Sequence, residues 1–317
     1  GDVYYAWIEN NTLSSKTNIS EDGSVSGGVA VAADAAVWVG WISGGKVYYR
    51  RIYGKDKIDS EPHELTSSYA SHIMPFDVTS LAISTRAGRT AFVFVQDDCA
   101  YCVYSTTLGW RYPKVVADTT GDSYFAKGII DSGGQVHVVF SDDSAGPRDI
   151  NYTVWDGSTW SAPVVLDNSS QDCTYPLIAY HNDSNAVYVI WFELTSPVTV
   201  QWCKKQDDGT WTSPEKAFEV EIPGGFGACW GSSCLVRGDK IWLFWCSVRA
   251  SGRWEVFSAT LDTNTDTWSV PESVASIANR DCHYVDAALS ADGNIHIVFD
   301  AFGEISSDPT DGVIYYR

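Results

Sequence analysis

The chain has 317 residues, 44% of them apolar and 19% charged, values of a globular protein with enough apolar surface for a sizeable core. A formal charge of −19 excludes the basic footprint that nucleic acid or an anionic membrane surface requires, so neither is expected as a partner. No run approaches the roughly 18–20 apolar residues of a membrane span, which excludes membrane insertion by a helix.

The first twenty residues hold "DVYYAW" at 2 and "LSSKTNIS" at 13. Next come a small-residue segment, "GGVAVAA" at 27, an apolar run, "VWVGW" at 37, a Tyr-rich segment, "KVYYRR" at 46, and "SEPHEL" at 60. The same order returns as "TSLAIS" at 79, "AFVFV" at 91, "CVYSTT" at 102 and "RYPKVV" at 111. A third unit has "VHVVF" at 136, "INYTVW" at 150 and "TWSAPVVL" at 159. A fourth has "VYVIW" at 187, "VQWCKK" at 200 and "TWTSPEKAF" at 210. A fifth has "IWLFW" at 241, "WEVFSA" at 254 and "TWSVPESV" at 267. A sixth has "VDAALSA" at 285, "IHIVF" at 295 and "VIYYR" at 313.

The apolar runs recur at spacings of 54, 45, 51, 54 and 54 residues. A period of that length filled by short strands reads as a propeller. The runs are apolar at nearly every position, as in strands buried on both faces. Small side chains suit the innermost strand, and Pro suits the outer edge, where its missing N–H faces solvent. The expected fold is therefore all-β: one six-bladed β-propeller domain spanning 1–317, of four-stranded antiparallel blades. The blades run over about 24–66, 77–117, 123–167, 172–219, 225–275 and 281–317. The inventory leaves an extra Tyr-rich strand, because "DVYYAW" matches that type as well as "VIYYR" does. The segment 1–20 is accordingly expected to close the ring by joining the last blade. Seven blades is the alternative, and addition of the N-terminal hairpin to a neighbouring molecule is the alternative use of the spare strand.

Three turns, "WDGSTW" at 155, "QDDGTW" at 206 and "TNTDTW" at 263, resemble the Asp-box, S-x-D-x-G-x-T-W, of the sialidase-like (BNR-repeat) propellers. The resemblance implies fold: the Asp caps a tight turn and the Trp packs between sheets. It does not imply sialidase activity. That family grips the substrate carboxylate with an Arg trio, one Arg lying in an early F/Y-R-I-P stretch. The nearest match here is "YRRIY" at 49, without the Pro, and no trio can be assigned among 11 Arg.

Propellers bind at loops that enter the inner strands. Those loops share a pattern: "HIMPFD" at 72, "DSY" at 122, "DCTY" at 172, "GACW" at 227 and "DCHY" at 281. Asp77, Asp122, Asp172 and Asp281, beside Tyr124, Tyr175, Trp230, His283 and Tyr284, form the candidate site. Aromatic faces stack on sugar rings and carboxylates accept from hydroxyls, so carbohydrate is the expected ligand. The competing reading makes the Asp residues turn caps and the Tyr residues wedges between blades. For catalysis, a carboxylate pair would serve a glycosidase, and His283, Tyr284 and Arg280 would serve a polysaccharide lyase.

Eight Cys, an acidic surface and five N-x-S/T sequons, at Asn10, Asn18, Asn151, Asn168 and Asn182, point to an extracellular or cell-surface glycoprotein with disulfides. The start at "GDVYYAW", without Met, suits a processed secreted chain and equally a trimmed one. "CAYC" at 99, at an expected hairpin turn, reads as a local disulfide or two thiols, and Cys173, Cys229 and Cys282 recur at one blade position. His137 and His296 hold a position filled elsewhere by Trp38, Phe92, Tyr188 and Trp242, and read as packing residues. "DTNTDTW" at 262 resembles a calcium loop but lacks its Gly and distal Glu, so no metal or cofactor beyond calcium is considered. The leading function is a non-catalytic carbohydrate-recognition module with a glycan or cell-surface component as partner. The alternatives are a structural subunit assembled by terminal strand exchange and a glycan-cleaving enzyme.

Overall fold

The computed structural model describes residues 2–316 apart from 6–7, 10–11, 14–16, 22, 24, 55–56, 66–79, 97–98, 107–108, 111–113, 117–118, 221–230, 249–251, 279, 290–292 and 304–312. Among the described residues every regular element is a β-strand. No helix is long and apolar enough to cross a membrane.

An N-terminal hairpin pairs β1 (Tyr4–Tyr5) with β4 (Thr17–Asn18) and β2 (Ile8–Glu9) with β3 (Thr12–Leu13). Six antiparallel sheets follow in chain order. The first has β5 (Val25–Ala33), β6 (Val37–Ser43), β7 (Lys46–Gly54), β8 (Lys57–Ile58) and β9 (His63–Glu64). The second has β10 (Ser80–Arg86), β11 (Arg89–Gln96), β12 (Cys99–Thr106), β13 (Gly109–Trp110) and β14 (Lys114–Val115). The third has β15 (Ser123–Ile130), β16 (Val136–Asp142), β17 (Asp149–Trp155) and β18 (Val164–Asp167). The fourth has β19 (Cys173–His181), β20 (Ala186–Glu193), β21 (Val198–Lys205) and β22 (Glu215–Val220). The fifth has β23 (Ser233–Arg237), β24 (Lys240–Val248), β25 (Trp254–Asp262), β26 (Thr267–Trp268) and β27 (Glu272–Ala275). The sixth has β28 (Arg280–Leu289), β29 (Ile295–Gly303) and β30 (Val313–Tyr316). Each sheet runs up and down in sequence order; the first five have the expected third and fourth strand types, and the sixth, among the described residues, has strands through the third.

Local chemistry sets the hairpins. Gly44 and Gly45 join β6 to β7 with φ of 54° and 75°, the double left-handed turn that matches strand twist. Two compact units make up the chain: Gly1–Gly146 with Asn151–Val165, and Pro147–Ile150 with Leu166–Arg317. In the first, Val47 and Leu65 of the first sheet pack on Phe92, Phe94 and Val103 of the second. In the second, Tyr188, Ile190 and Phe192 of β20 pack on Ile241, Leu243 and Trp245 of β24. β20 is buried on both faces, as its unbroken apolar run requires.

Three expectations change. β29 was expected to be buried on both faces, but Ile297 and Phe299 are buried while Val298 between them is 43% exposed. Its apolar run resembles the other five, and Ile297 and Phe299 pack with Phe244 and Cys246 of β24 and Val256 of β25. Cys99 and Cys102 lie on β12 rather than in a turn, and a separation of three places them on opposite faces, which excludes a local bridge. Asn151 is 6% exposed in the middle of β17, so burial leaves its sequon no room for a glycan, whereas Asn168 and Asn182 are exposed. The N-terminal strands pair with one another and pack Val3 and Ile19 on Val39, Trp41 and Ile52 of the first sheet.

Candidate functional site

Asp122, Asp172 and Asp281 sit where β15, β19 and β28 begin, as the entry-loop pattern anticipates. Asp77 and Trp230 lie outside the described residues, as do Asn10, Cys229 and the side chain of His283. Two of the three Asp residues act as ties. Asp172 Oδ1 accepts from the Arg148 N–H at 2.9 Å, just before β17, and Arg148 Nη2 donates to Asp172 Oδ2 at 3.3 Å. Asp281 Oδ1 accepts from the Trp254 N–H at 3.1 Å, the first residue of β25. In both, the entry of an inner strand caps the start of the preceding sheet's third strand. This is the turn-cap reading of these carboxylates.

The Arg148 N–H holds the Asp172 carboxyl below the usual range, and the Arg148 guanidinium adds to this against burial. A carboxyl depressed in the folded state contributes stability that is present above the unfolded pKa and lost as pH falls. Asp172→Asn is therefore expected to lower the melting temperature at pH 7. The gap to wild type should close as pH falls from about 5 toward about 2. Melts across that range check this; a gap that stays constant would show that ionisation of Asp172 is irrelevant.

Asp122 works within its own sheet. Its N–H donates to Asp143 Oδ1 at 2.7 Å, and the Tyr124 hydroxyl reaches Asp122 Oδ2 at 3.2 Å and Asp143 Oδ2 at 3.3 Å. Burial, then the charges of Asp143 and Asp122, push the Tyr124 phenol up to about 12. At neutral pH it is a donor between two carboxylates, not a base.

The same end of the inner strands carries backbone irregularity that sequence did not announce. The ladder slips between Tyr124 and Lys127, between Thr174 and Leu177, and between Cys282 and Val285. Phe125, Tyr175 and Tyr284 lie in these bulges, three residues after the respective Asp. Phe125 and Tyr175 have φ of 49° and 51°, left-handed values that bulky residues rarely adopt. A bulge re-aims a side chain out of the pleat, and such strain concentrates at binding sites. Tyr284 is 45% exposed, while Tyr175 packs partly on the core.

The Asp-box-like turns join third to fourth strands, so the up-and-down order puts them at the opposite sheet end from the inner-strand starts. Asp156 Oδ1 accepts from the Ser158 and Thr159 N–H groups at 2.7 and 2.8 Å, which hold its carboxyl down to about 2. Asp208 Oδ1 accepts from the Thr210 N–H at 2.9 Å, and Asp262 Oδ1 from the Asn264 N–H at 3.0 Å. The segment at 262 is thus a turn held by its own backbone.

Other polar clusters are engaged internally. His137 is buried between the Tyr152 hydroxyl, 2.6 Å from Nδ1, and Asp131 Oδ2, 3.1 Å from Nε2. Asp167, Cys173 and Glu193 bring one ligand atom each within 4.8 Å of one another. Trp191 Nε1 donates to Asp167 at 3.0 Å, however, and Thr199 and Gln201 donate to Glu193 at 2.9 and 3.0 Å. Burial pushes the Cys173 thiol up, as it does Cys102 and Cys203, so these are inert thiols rather than metal-ready thiolates. Of "YRRIY", Arg50 is spent on three backbone carbonyls and Glu21, and Arg51 on Asp59. Neither is placed to grip a substrate carboxylate.

No protein-family model and no curated protein matches the chain. Solved structures do. A protein of unknown function from Dyadobacter fermentans superposes with TM-score 0.65 at 11% identity, covering 94% of this chain and 95% of that one. A subtype N10 neuraminidase-like protein of A/little yellow-shouldered bat/Guatemala gives TM-score 0.55 at 11% identity, covering 91% and 92%. An ulvan lyase bound to -[GlcA(1-4)Rha3S]- gives 0.52 at 14% identity, covering 73% and 69%. With its successive up-and-down antiparallel sheets, the chain has the fold of the sialidase-like β-propellers, a likeness of fold alone.

Proposed function

We propose that the chain is a non-catalytic carbohydrate-recognition module that works outside the cell, with its six sheets as blades of one ring and the N-terminal segment at the closure. The observation that carries this reading is the repeated bulge at the entry of β15, β19 and β28, which lifts Phe125, Tyr175 and Tyr284 out of the ladder. Three aromatic residues at one strand position suit a ligand that offers C–H faces, with the carboxylates three residues before them holding the strand entries in place. The spent roles of Asp172 and Asp281 favour binding over catalysis, because their oxygens already accept backbone donors. The ulvan lyase carries an acidic saccharide on the same kind of fold, and a glycan of any charge is an admissible ligand here.

The test is a broad glycan array with and without calcium, followed by Tyr284→Ala. Loss of one stacking face is expected to weaken binding about tenfold, with an unchanged melting temperature because the ring is half exposed. New reducing ends or unsaturated uronates from the bound glycan would replace this reading with an enzyme. A blank array would remove it.

A further inference from the structure

Two turns between inner strands meet within the second compact unit. His181 is the last residue of β19, and residues 182–185 turn the chain into β20. Gly238 and Asp239 turn β23 into β24, with Gly238 at a φ of 56°, the Gly-first form of a two-residue hairpin turn. The Asp239 carbonyl accepts from the Thr263 N–H at 2.9 Å and from Thr263 Oγ1 at 3.0 Å, which fixes this turn. The His181 side chain is buried where the two turns meet. Its Nδ1 lies 2.7 Å from Ser184 Oγ, and its Nε2 lies 3.1 Å from Gly238 O and 3.9 Å from Asp239 Oδ1. His181, Asp183 and Asp239 bring one ligand atom each within 4.8 Å of one another.

These carboxylates differ from those at the equivalent turns of other sheets. In the first sheet Asp34 Oδ2 accepts from the Gly88 N–H at 2.8 Å, and in the third Asp131 Oδ1 accepts from the Gln135 N–H at 2.8 Å. The three Asp-box-like turns use their carboxylates in the same way. Asp183 and Asp239 cap nothing. Among the described residues no backbone N–H, Lys or Arg reaches either carboxylate, and the nearest donor to Asp239 is His181 Nε2. A buried imidazole, a fixed carbonyl and two unspent carboxylates make a mixed nitrogen and oxygen donor set.

We propose that His181 Nε2, the Gly238 carbonyl and the carboxylates of Asp183 and Asp239 bind one zinc-class divalent cation. The site lies at the opposite end of the inner strands from Tyr175 and Tyr284. Ligands about 2.0–2.2 Å from one ion stand roughly 3–4 Å apart, so the spacings from Nε2 to Gly238 O and Asp239 Oδ1 suit neighbouring positions around it. Rotation of the two exposed Asp side chains closes the remainder. Coordination through Nε2 places the ring proton on Nδ1, where Ser184 Oγ accepts it; metal-bound imidazoles are oriented by such an outer partner. The imidazole selects zinc over calcium and magnesium, which take oxygen ligands. A bound ion fastens the β19–β20 turn to the β23–β24 turn, and its binding energy adds to the stability of the folded chain.

The probe is Zn²⁺ alone, added to untagged protein made without N-glycans, because Asn182 stands between two of the ligands in a sequon. Isothermal titration calorimetry should give one Zn²⁺ per chain, bound at least about tenfold more tightly than Ca²⁺ or Mg²⁺. Zn²⁺ should also raise the melting temperature and slow amide exchange at 182–185 and 238–239. Asp183→Asn and Asp239→Asn change exposed side chains, so each should melt with wild type in the absence of metal. Each should weaken Zn²⁺ binding at least about tenfold. Ser184→Ala keeps every ligand and should weaken Zn²⁺ about tenfold, which separates an oriented imidazole from loose attraction to acidic groups. Zn²⁺ that binds Asp239→Asn as tightly as wild type sits elsewhere on the chain, and overturns the proposal. So does Ca²⁺ bound as tightly as Zn²⁺, the behaviour of exposed carboxylates acting without the ring.

Discussion

Replacing Trp191 by Ala is expected to remove about 3–5 kcal/mol, a large share of the stability of an ordinary domain. The side chain is fully buried on β20. The informative comparison is with Phe. Trp191 and Trp245 hold the same place in their strands, and both are buried. Trp191 Nε1 donates to Asp167 Oδ2 at 3.0 Å, whereas Trp245 Nε1 is buried with no hydrogen-bond partner among the described residues. Trp191→Phe deletes a donor to a carboxylate, a loss of about 1.5–3 kcal/mol. Trp245→Phe keeps the stacked contacts with Phe218 and Phe257 and deletes only an unsatisfied N–H, so it should cost less than about 1.5 kcal/mol. Urea unfolding of the two Phe variants reads the difference directly. Equal midpoints would show that the Asp167 bond contributes nothing beyond packing.

Strand identity was legible because it depends on local pattern: a buried strand reads as an apolar run, and the turns between strands are built from Gly, Asp, Asn, Ser, Thr and Pro. All six repeats obey this, from "VWVGW" to "IHIVF", so the sheets fall where the period puts them. What pattern cannot carry is the neighbour. "IHIVF" reads like the other five, yet Val298 is 43% exposed where the central residues of the other runs are buried or half-buried. The candidate site divides the same way. The Asp positions at strand entries were visible. Their function was not, since the donors to Asp172 and Asp281 come from residues 24 and 27 positions earlier. His137 was placed correctly in a packed strand, but Tyr152 and Asp131, which occupy both its ring nitrogens, are set by the fold. The bulges at Phe125, Tyr175 and Tyr284 left no mark in composition, since β-bulges need no particular residue type.

Arg50 does not serve as a substrate clamp, and its substitution should loosen the N-terminal hairpin from the first sheet. Its side chain is buried, and its guanidinium donates to Asp59 O at 2.7 Å, Ile19 O at 3.0 Å and Ser60 O at 2.7 Å, with Glu21 Oε1 at 2.7 Å. One planar group therefore ties the N-terminal hairpin to the outer turn of the first sheet. Arg50→Ala removes the donor from three carbonyls, at about 1–3 kcal/mol for a group left buried and unsatisfied, while the Glu21 carboxylate, 57% exposed, returns to water. The damage should be local first: amide exchange at 2–5 and 17–20 should accelerate. Trp41, covered by Val3 and Ile19, should shift its emission to the red. Arg50→Lys tests the cause. An ammonium keeps the charge but cannot reach three carbonyls lying in different directions, so Lys should behave like Ala rather than like wild type. If the Lys variant instead melts with wild type, charge alone holds Glu21, and docking of the hairpin rests on Val3 and Ile19.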